Sequence, residues 1–327
     1  MTKAIITGVA GFAGSHLAEA LLKKNIAVFG FYHPSHPRDN LQKIKDQISL
    51  VACDVLQQKK VSSEIKNISP DMVFHLAAFS SPSQSFINPA ETLENNIVGQ
   101  INILESLVKI KSKAKILVIG SADEYGRVKK LPVTEDAPLA PTSPYAVSKV
   151  AQDLLGYQYF INNKLNVVRV RPFNHIGPRQ APVFAIPSFA SQIAACEAQG
   201  GGSIKVGNLD ASRDFTDVRD MVEAYILALE KGTVGDVYNL GSGRAYKLKD
   251  VLEMMLKMAK VKIKIETDKS RLHKHDIKII YCDSSKFRQK TGWSPKIPIQ
   301  TTLSDTIEYE REKLKVISQN SKLQVKI

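Results

Sequence analysis

The chain has 327 residues, 43% hydrophobic and 24% charged, enough for one large or two modest domains around a buried core. No apolar run approaches the ~18 residues of a membrane span, the N-terminus shows no ordered charged, apolar and cleavage regions, and the three scattered cysteines (Cys53, Cys196, Cys282) form no CxxC pair. The expectation is therefore a cytoplasmic chain with reduced thiols, no bound metal and no membrane contact. The formal net charge of +13 admits attraction for polyanions, a diphosphate included, or a lysine-rich surface without a specific partner. The lysines are spread along the chain, which favours the second, and no nucleic-acid module signature appears.

In chain order, short apolar runs alternate with helical patterns. Strands are predicted over 4–7, 27–31, 48–52, 72–76, 114–119 and 167–170. Helices are predicted over 13–24, near 58–67, over 88–110 and over 145–164. Such alternation demands crossover connections, and so an α/β fold with a doubly wound parallel sheet covered on both faces. The unbroken run Ile116-Leu117-Val118-Ile119 suits a strand buried on both sides. Asn88 is placed to cap the helix that Pro89 begins, with Glu91 reaching back. After Arg171-Pro172 the alternation ends and proline and glycine become frequent. A first domain is expected over 1–171 and a smaller C-terminal α/β substrate-binding lobe over 172–327. A helix over 218–230 and a strand over 237–240 are candidates to return to the first domain. The lysine-rich residues after about 312 are expected to be loose.

Gly8-x-x-Gly11-x-x-Gly14 follows the first strand and opens the first helix. Glycines there permit a tight turn and close backbone approach, and the helix N-terminus offers free N–H groups to a pyrophosphate. The placement points to a Rossmann dinucleotide site. The second strand ends Phe29-Gly30-Phe31-Tyr32-His33, with no acid to hold the adenosine ribose and with His36 and Arg38 just beyond. This favours NADP(H), with NAD(H) the alternative. Asp54 after the third strand is a candidate for the adenine amino group or a simple loop cap.

Tyr145-Ala146-Val147-Ser148-Lys149 sets a phenol and an ammonium one helical turn apart on one face. A free phenol has a pKa near ~10. A lysine cation beside it favours the phenolate, so the tyrosine can exchange a proton with a sugar oxygen as hydride moves. Ser121, after the strand over 114–119, can polarise the same oxygen. Arg213 is a natural bidentate partner for phosphate, or else a structural partner of Asp214 or Asp217. His175 reads as a packed residue and Asn96 as a tie between loops.

These strings, with His75-Leu76-Ala77-Ala78, Asn96-Ile97-Val98-Gly99 and Arg213-Asp214-Phe215-Thr216-Asp217-Val218, resemble the extended short-chain dehydrogenases over roughly residues 3 to 310. Arg171-Pro172-Phe173-Asn174-His175-Ile176-Gly177-Pro178 is the most specific. It is similar to the GDP-4-keto-6-deoxy-mannose reductases and the GDP-mannose 4,6-dehydratases. The resemblance implies a catalytic triad of Ser121, Tyr145 and Lys149. It implies pyrophosphate contacts from Gly8, Phe12 and Ala13 in the loop that Gly11 and Gly14 complete. Asp54 would meet the adenine, Ala77 would line the cofactor, and Lys149 would also hold the nicotinamide ribose. Asn174 and Arg213 would bind the nucleotide diphosphate of a sugar-nucleotide substrate. A homodimer through the helices near 88–110 and 145–164 is implied as well.

Two places depart from the pattern. Near the C-terminus His273 stands where the family has an arginine, so Arg271 or Lys274 is expected to supply the phosphate contact. After the fifth strand, where a dehydratase carries an extra glutamate, the count from Tyr125-Gly126 arrives at Asp123, one methylene shorter. A one-residue shift puts Glu124 there instead. A 4-keto reductase needs only hydride and proton delivery and tolerates this change, so the reductase is expected and the dehydratase is the alternative. Another sugar-nucleotide epimerase, or a cofactor-binding protein without catalysis, is a remoter reading.

Overall fold

A computed structural model describes residues 1–271 and 277–324. The first six strands are β1 (Lys3–Thr7), β2 (Ala27–Tyr32), β3 (Ser49–Ala52), β4 (Met72–His75), β5 (Lys115–Ile119) and β6 (Asn166–Pro172). Then come β7 (Asn174–Ile176), β8 (Gly202–Val206), β9 (Ser212–Asp217) and β10 (Val237–Leu240). The last three are β11 (Ala245–Lys247), β12 (Ile263–Thr267) and β13 (Ile279–Ile280). The central sheet has seven strands in the order β10-β6-β5-β4-β1-β2-β3, and every pairing in it is parallel. The winding reverses at β1, so a crevice opens beyond the C-terminal ends of β1 and β4, where such sheets bind ligands.

Strand periodicity explains why the sheet is covered twice. In β5, Ile116 and Val118 join the apolar cluster on one face, while Leu117 joins the cluster on the other. In β1, Ile5 goes one way and Ala4 and Ile6 the other. Each such large aliphatic, fully buried, contributes about 1.5–3 kcal/mol. The helix Val218–Lys231 adds Met221, Tyr225 and Leu229 to the cluster that holds Leu17 and Leu21 of the helix Phe12–Lys23. β10 pairs with β6. The second lobe has a separate core, in which Ile193, Ile204, Leu252 and Leu303 pack together. Its β9 joins β7, β11 and β13.

Two expectations need correction. The helix foreseen over 88–110 is broken into Pro89–Leu93, a π-helical turn Glu94–Val98, and Gly99–Lys109. Its apolar period runs through the widened turn, so the sequence pattern hides the break. Asn88 makes no side-chain cap there; the capped start lies earlier, where the Ser81 hydroxyl accepts from the Gln84 amide at 3.3 Å and opens Pro82–Ile87. The tail after 312 continues the helix Ile299–Gln324, whose first turns carry the buried Leu303 and Ile307.

Candidate active site

The loop after β1 shows why glycine stands where it does. Gly8 has φ +70°, and a Cβ there would lie 2.9 Å from the Ala77 amide nitrogen. At Gly14 a Cβ would meet the Gly8 carbonyl oxygen at 2.3 Å and the Val9 Cα at 2.9 Å. Gly11 ends the loop in extended conformation and precedes Phe12 with no side-chain cap and no acid in the first turn. The first N–H groups of the helix, those of Phe12 and Ala13 among them, therefore have no side chain bonded across them. A Cβ-free cradle against an open helix end fits a dinucleotide pyrophosphate. Ala77, just beyond β4, is fixed by its amide donating to the Thr7 hydroxyl at 3.1 Å. At the end of β2, the Arg38 guanidinium stands 5.1 Å from the Tyr32 ring centroid. Asp54 accepts from the Leu56 amide at 2.9 Å and lies 3.7 Å from His33.

The helix Pro144–Asn163 starts on Ser143, whose hydroxyl accepts from the Ala146 amide at 3.1 Å, with Pro144 at its first position. Tyr145 and Lys149 are both buried one turn apart, and the Lys149 Nζ lies 5.9 Å from the Tyr145 ring centroid. Lys149 donates to the Ile119 carbonyl and to Gln152 Oε1, each at 2.8 Å. Burial lowers its pKa to about 8, against the pull of the Glu124 carboxylate. Burial raises the Tyr145 pKa above its ordinary value, as does the Asp123 carboxylate, while a hydrogen bond with Ser121 acts the other way. Ser121, Tyr145 and Lys149 thus meet at the C-terminal end of β5.

The two carboxylates that follow β5 part company. Asp123 is felt by Tyr145 and itself feels Arg213, which opposes the upward push of burial on its pKa. It therefore lies on the side of Tyr145 and Arg213. Glu124 is fully buried. It turns back to accept from the Ser121 amide at 2.7 Å, closing a capping box, and its other oxygen lies 3.2 Å from Arg171 Nε. The one-residue shift that would bring Glu124 into the crevice is not what the chain adopts.

In the second lobe, Asn174 on β7 is exposed and opposite Phe215 of β9, two residues beyond Arg213. Arg213 donates to the carbonyls of Ser212 at 2.9 Å and Ile277 at 2.7 Å. Asp214 accepts from Ser242 and Gly243, and Asp217 from Arg219 and Thr302. Arg271 is engaged elsewhere, with Asp268 at 3.2 Å, the Lys205 carbonyl at 3.2 Å and Ser188 at 3.4 Å; none of these belongs to the group around Tyr145. His273 and Lys274 lie outside the described residues. His175 stacks on Phe12, with ring centroids 5.6 Å apart, and burial lowers its pKa to about 4. It is a packed ring, as its sequence context suggests.

Against this geometry the comparisons with known proteins are decisive. The model of the GDP-mannose 4,6 dehydratase family matches residues 5–306. The chain belongs to that family. It is an NAD(P)-dependent enzyme of the extended short-chain dehydrogenase type. GDP-6-deoxy-D-mannose reductase of Pseudomonas aeruginosa is 34% identical, over 91% of this chain and 93% of the relative. The solved structure of RMD from Pseudomonas aeruginosa complexed with NADPH superposes with a TM-score of 0.83 at 31% identity, covering 96% of this chain and 100% of that one. UDP-glucuronic acid 4-epimerase from Bacillus cereus, in complex with UDP-glucuronic acid and NAD, gives 0.86 at 28% identity, covering 95% and 99%. No helix among the described residues is long and apolar enough to cross a membrane.

Within this member of the GDP-mannose 4,6 dehydratase family, the sequence reading gave Asn96 only as a tie between loops and gave His75 no role of its own. Asn96 is fully buried and clasps both the amide and carbonyl of Phe79, at 2.8 and 3.1 Å, and the Ser148 hydroxyl at 2.9 Å. It is more than a tie between loops, since Ser148 belongs to the Tyr145 helix. His75 is held by Thr7 at 2.9 Å, and burial together with Lys149 lowers its pKa to about 3. A polar residue inside the apolar run 72–78 was the signal for His75; Asn96 stands among polar neighbours, Glu94 and Asn95, and gives no such signal. Its partners come from distant segments, which spacing does not reveal.

Proposed function

We propose that the chain is an NADPH-dependent GDP-4-keto-6-deoxy-mannose 4-reductase. The observation that carries this reading is the divergence of the two carboxylates after β5: Tyr145 meets Ser121 and Lys149 while Glu124 points into the protein. The similarity to GDP-6-deoxy-D-mannose reductase supports it.

A bound reduced nicotinamide supplies the hydride. The raised pKa of Tyr145 keeps its phenol protonated at neutral pH, the state a proton donor needs. Tyr145 gives that proton to the C4 oxygen as it becomes a hydroxyl. Ser121 donates to the same oxygen, and Lys149 holds positive charge beside the phenol. When a dinucleotide is bound, Gly8, Gly11, Phe12, Ala13 and Gly14 would cradle the pyrophosphate, Asp54 would meet the adenine, and Ala77 would line the cofactor. Asn174 and Arg213 would take the nucleotide diphosphate. NADP(H) is preferred because β2 ends without a carboxylate and Arg38 lies over Tyr32 there.

The test is to mix the protein with GDP-4-keto-6-deoxy-mannose and either NADPH or NADH and follow nicotinamide absorbance. Stoichiometric oxidation, faster with NADPH, is expected. No oxidation by a protein that binds NADPH would overturn the reductase reading. Asp123 facing Tyr145 favours a second reading, GDP-mannose 4,6-dehydratase. Asp123→Ala separates the two. A reductase should keep its rate within about tenfold, whereas a dehydratase should lose about 10²–10⁴ on GDP-mannose as its acid/base disappears.

A homodimer is part of the proposal. Phe86, Ile87, Val147, Leu154, Tyr157 and Ile161 are exposed apolar residues on the helices Pro82–Ile87 and Pro144–Asn163, the kind of surface that association covers. Sedimentation should give twice the chain mass at micromolar concentration; the mass of a single chain would remove this part.

A further inference from the structure

Behind the Ser121–Tyr145–Lys149 group lies a buried set of charges that the reaction above does not use. Glu124 is its centre. Gly120 makes room for it, since a Cβ at that residue would sit 2.2 Å from Glu124 Oε1. That oxygen takes the Ser121 amide at 2.7 Å. The other lies 3.2 Å from Arg171 Nε without a well-formed hydrogen bond. Arg171 is already committed: it donates to Asp153 Oδ2 at 2.9 and 2.5 Å, and to the Tyr125 hydroxyl at 3.0 Å. Arg169 holds the other oxygen of Asp153 at 2.8 Å. Glu124 therefore shares a guanidinium whose first claim is Asp153.

The groups that face Glu124 come from three elements. Arg171 comes from β6. Asp153, Lys149 and Tyr145 come from the helix Pro144–Asn163, and Tyr125 comes from Glu124's own turn. Asp153 and burial disfavour its charge, while Arg171 and Lys149 favour it.

We propose that Glu124 is a positioning residue that acts through the triad: its bond to the Ser121 amide fixes the serine, and its carboxyl, set between the shared Arg171 guanidinium and Lys149, governs how firmly the protons on Tyr145 and Lys149 are held. The inference rests on the triad reading given above. Burial lifts the Glu124 pKa to about 8, so at neutral pH the group is largely neutral. As pH rises through that value it gains a charge that raises the pKa of both Lys149 and Tyr145. Both protons are wanted for ketone reduction, one as the charge beside the phenol and one as the proton delivered. A carboxylate that ionises where the Lys149 proton begins to be lost extends the working range upward.

Glu124→Gln keeps an acceptor for the Ser121 amide and removes the ionisation. The alkaline limb of kcat/KM should move to lower pH by about one unit, the order of effect of a single nearby charge. A limb identical to that of the wild type would overturn the inference. Thermal stability gives a second readout. A carboxyl with a raised folded pKa contributes stability that is fully present below its unfolded value and lost as pH rises through the folded one. The wild type should thus lose stability between about pH 4.5 and 8 relative to Glu124→Gln. If the variant fails to fold, the wild type labelled with carbon-13 at its glutamate carboxyls still decides. A carboxyl assigned to Glu124 that titrates above pH 7 supports the inference, and completion of its titration by pH 6 overturns it. Retained turnover in Lys149→Ala would instead mark failure of the triad reading, and the inference would fall with it.

Discussion

Replacing Tyr145 with phenylalanine is expected to slow ketone reduction by about 10²–10⁴-fold, the usual contribution of a placed general acid, and to leave NADPH binding near the wild-type level. The ring is buried against the start of its helix and its hydroxyl bonds to Ser121. Phenylalanine keeps the ring and its packing and removes only the proton. The Lys149 bonds to the Ile119 carbonyl and Gln152 do not involve the phenol, so the ammonium stays where it is. The check is kcat beside a cofactor titration by fluorescence. Turnover within about tenfold of the wild type would remove Tyr145 from the role of proton donor.

Gly14→Ala should be more severe than its size suggests. A single methyl must fit 2.3 Å from one backbone oxygen and 2.9 Å from a backbone carbon, and neither can swing aside as a side chain would. The helix Phe12–Lys23 has to shift off the loop. Displacement of a binding group by about 1 Å can cost ~100-fold, so NADPH affinity should fall by at least that order. Wild-type affinity in Gly14→Ala, measured by the same titration, would show that the loop tolerates movement and does not form the phosphate cradle.

Much of the fold was legible because parallel strands buried on both faces leave unbroken apolar runs such as 116–119, and because glycines that permit close backbone approach stand at fixed spacing after β1. The π turn Glu94–Val98 was not, since widening a helix by one residue leaves its composition unchanged. The candidate site divides in the same way. Tyr145 and Lys149 could be set on one face from spacing alone, as i and i+4 on a capped helix. The direction of Glu124 could not. It depends on Arg171 and Gly120 being at hand, and Arg171 lies 47 positions further along the chain. Arg271 drew attention as a basic residue in a departing segment, yet local partners, Asp268 and the Lys205 carbonyl, occupy it.

The place of β10 at the edge of the central sheet bears on how the chain is made. β6 ends at Pro172, and the strand that covers it begins only at Val237. During synthesis at ~5–20 residues per second, that leaves β6 an open sheet edge for several seconds. The helix that brings Met221 and Tyr225 to the core is missing over most of the same interval. Nascent chains stalled between these points would present unpaired backbone and bare apolar surface together, a combination that invites aggregation. Completion of the sheet is thus coupled to translation of much of the second lobe, and a fragment ending at 171 should aggregate where the whole chain folds.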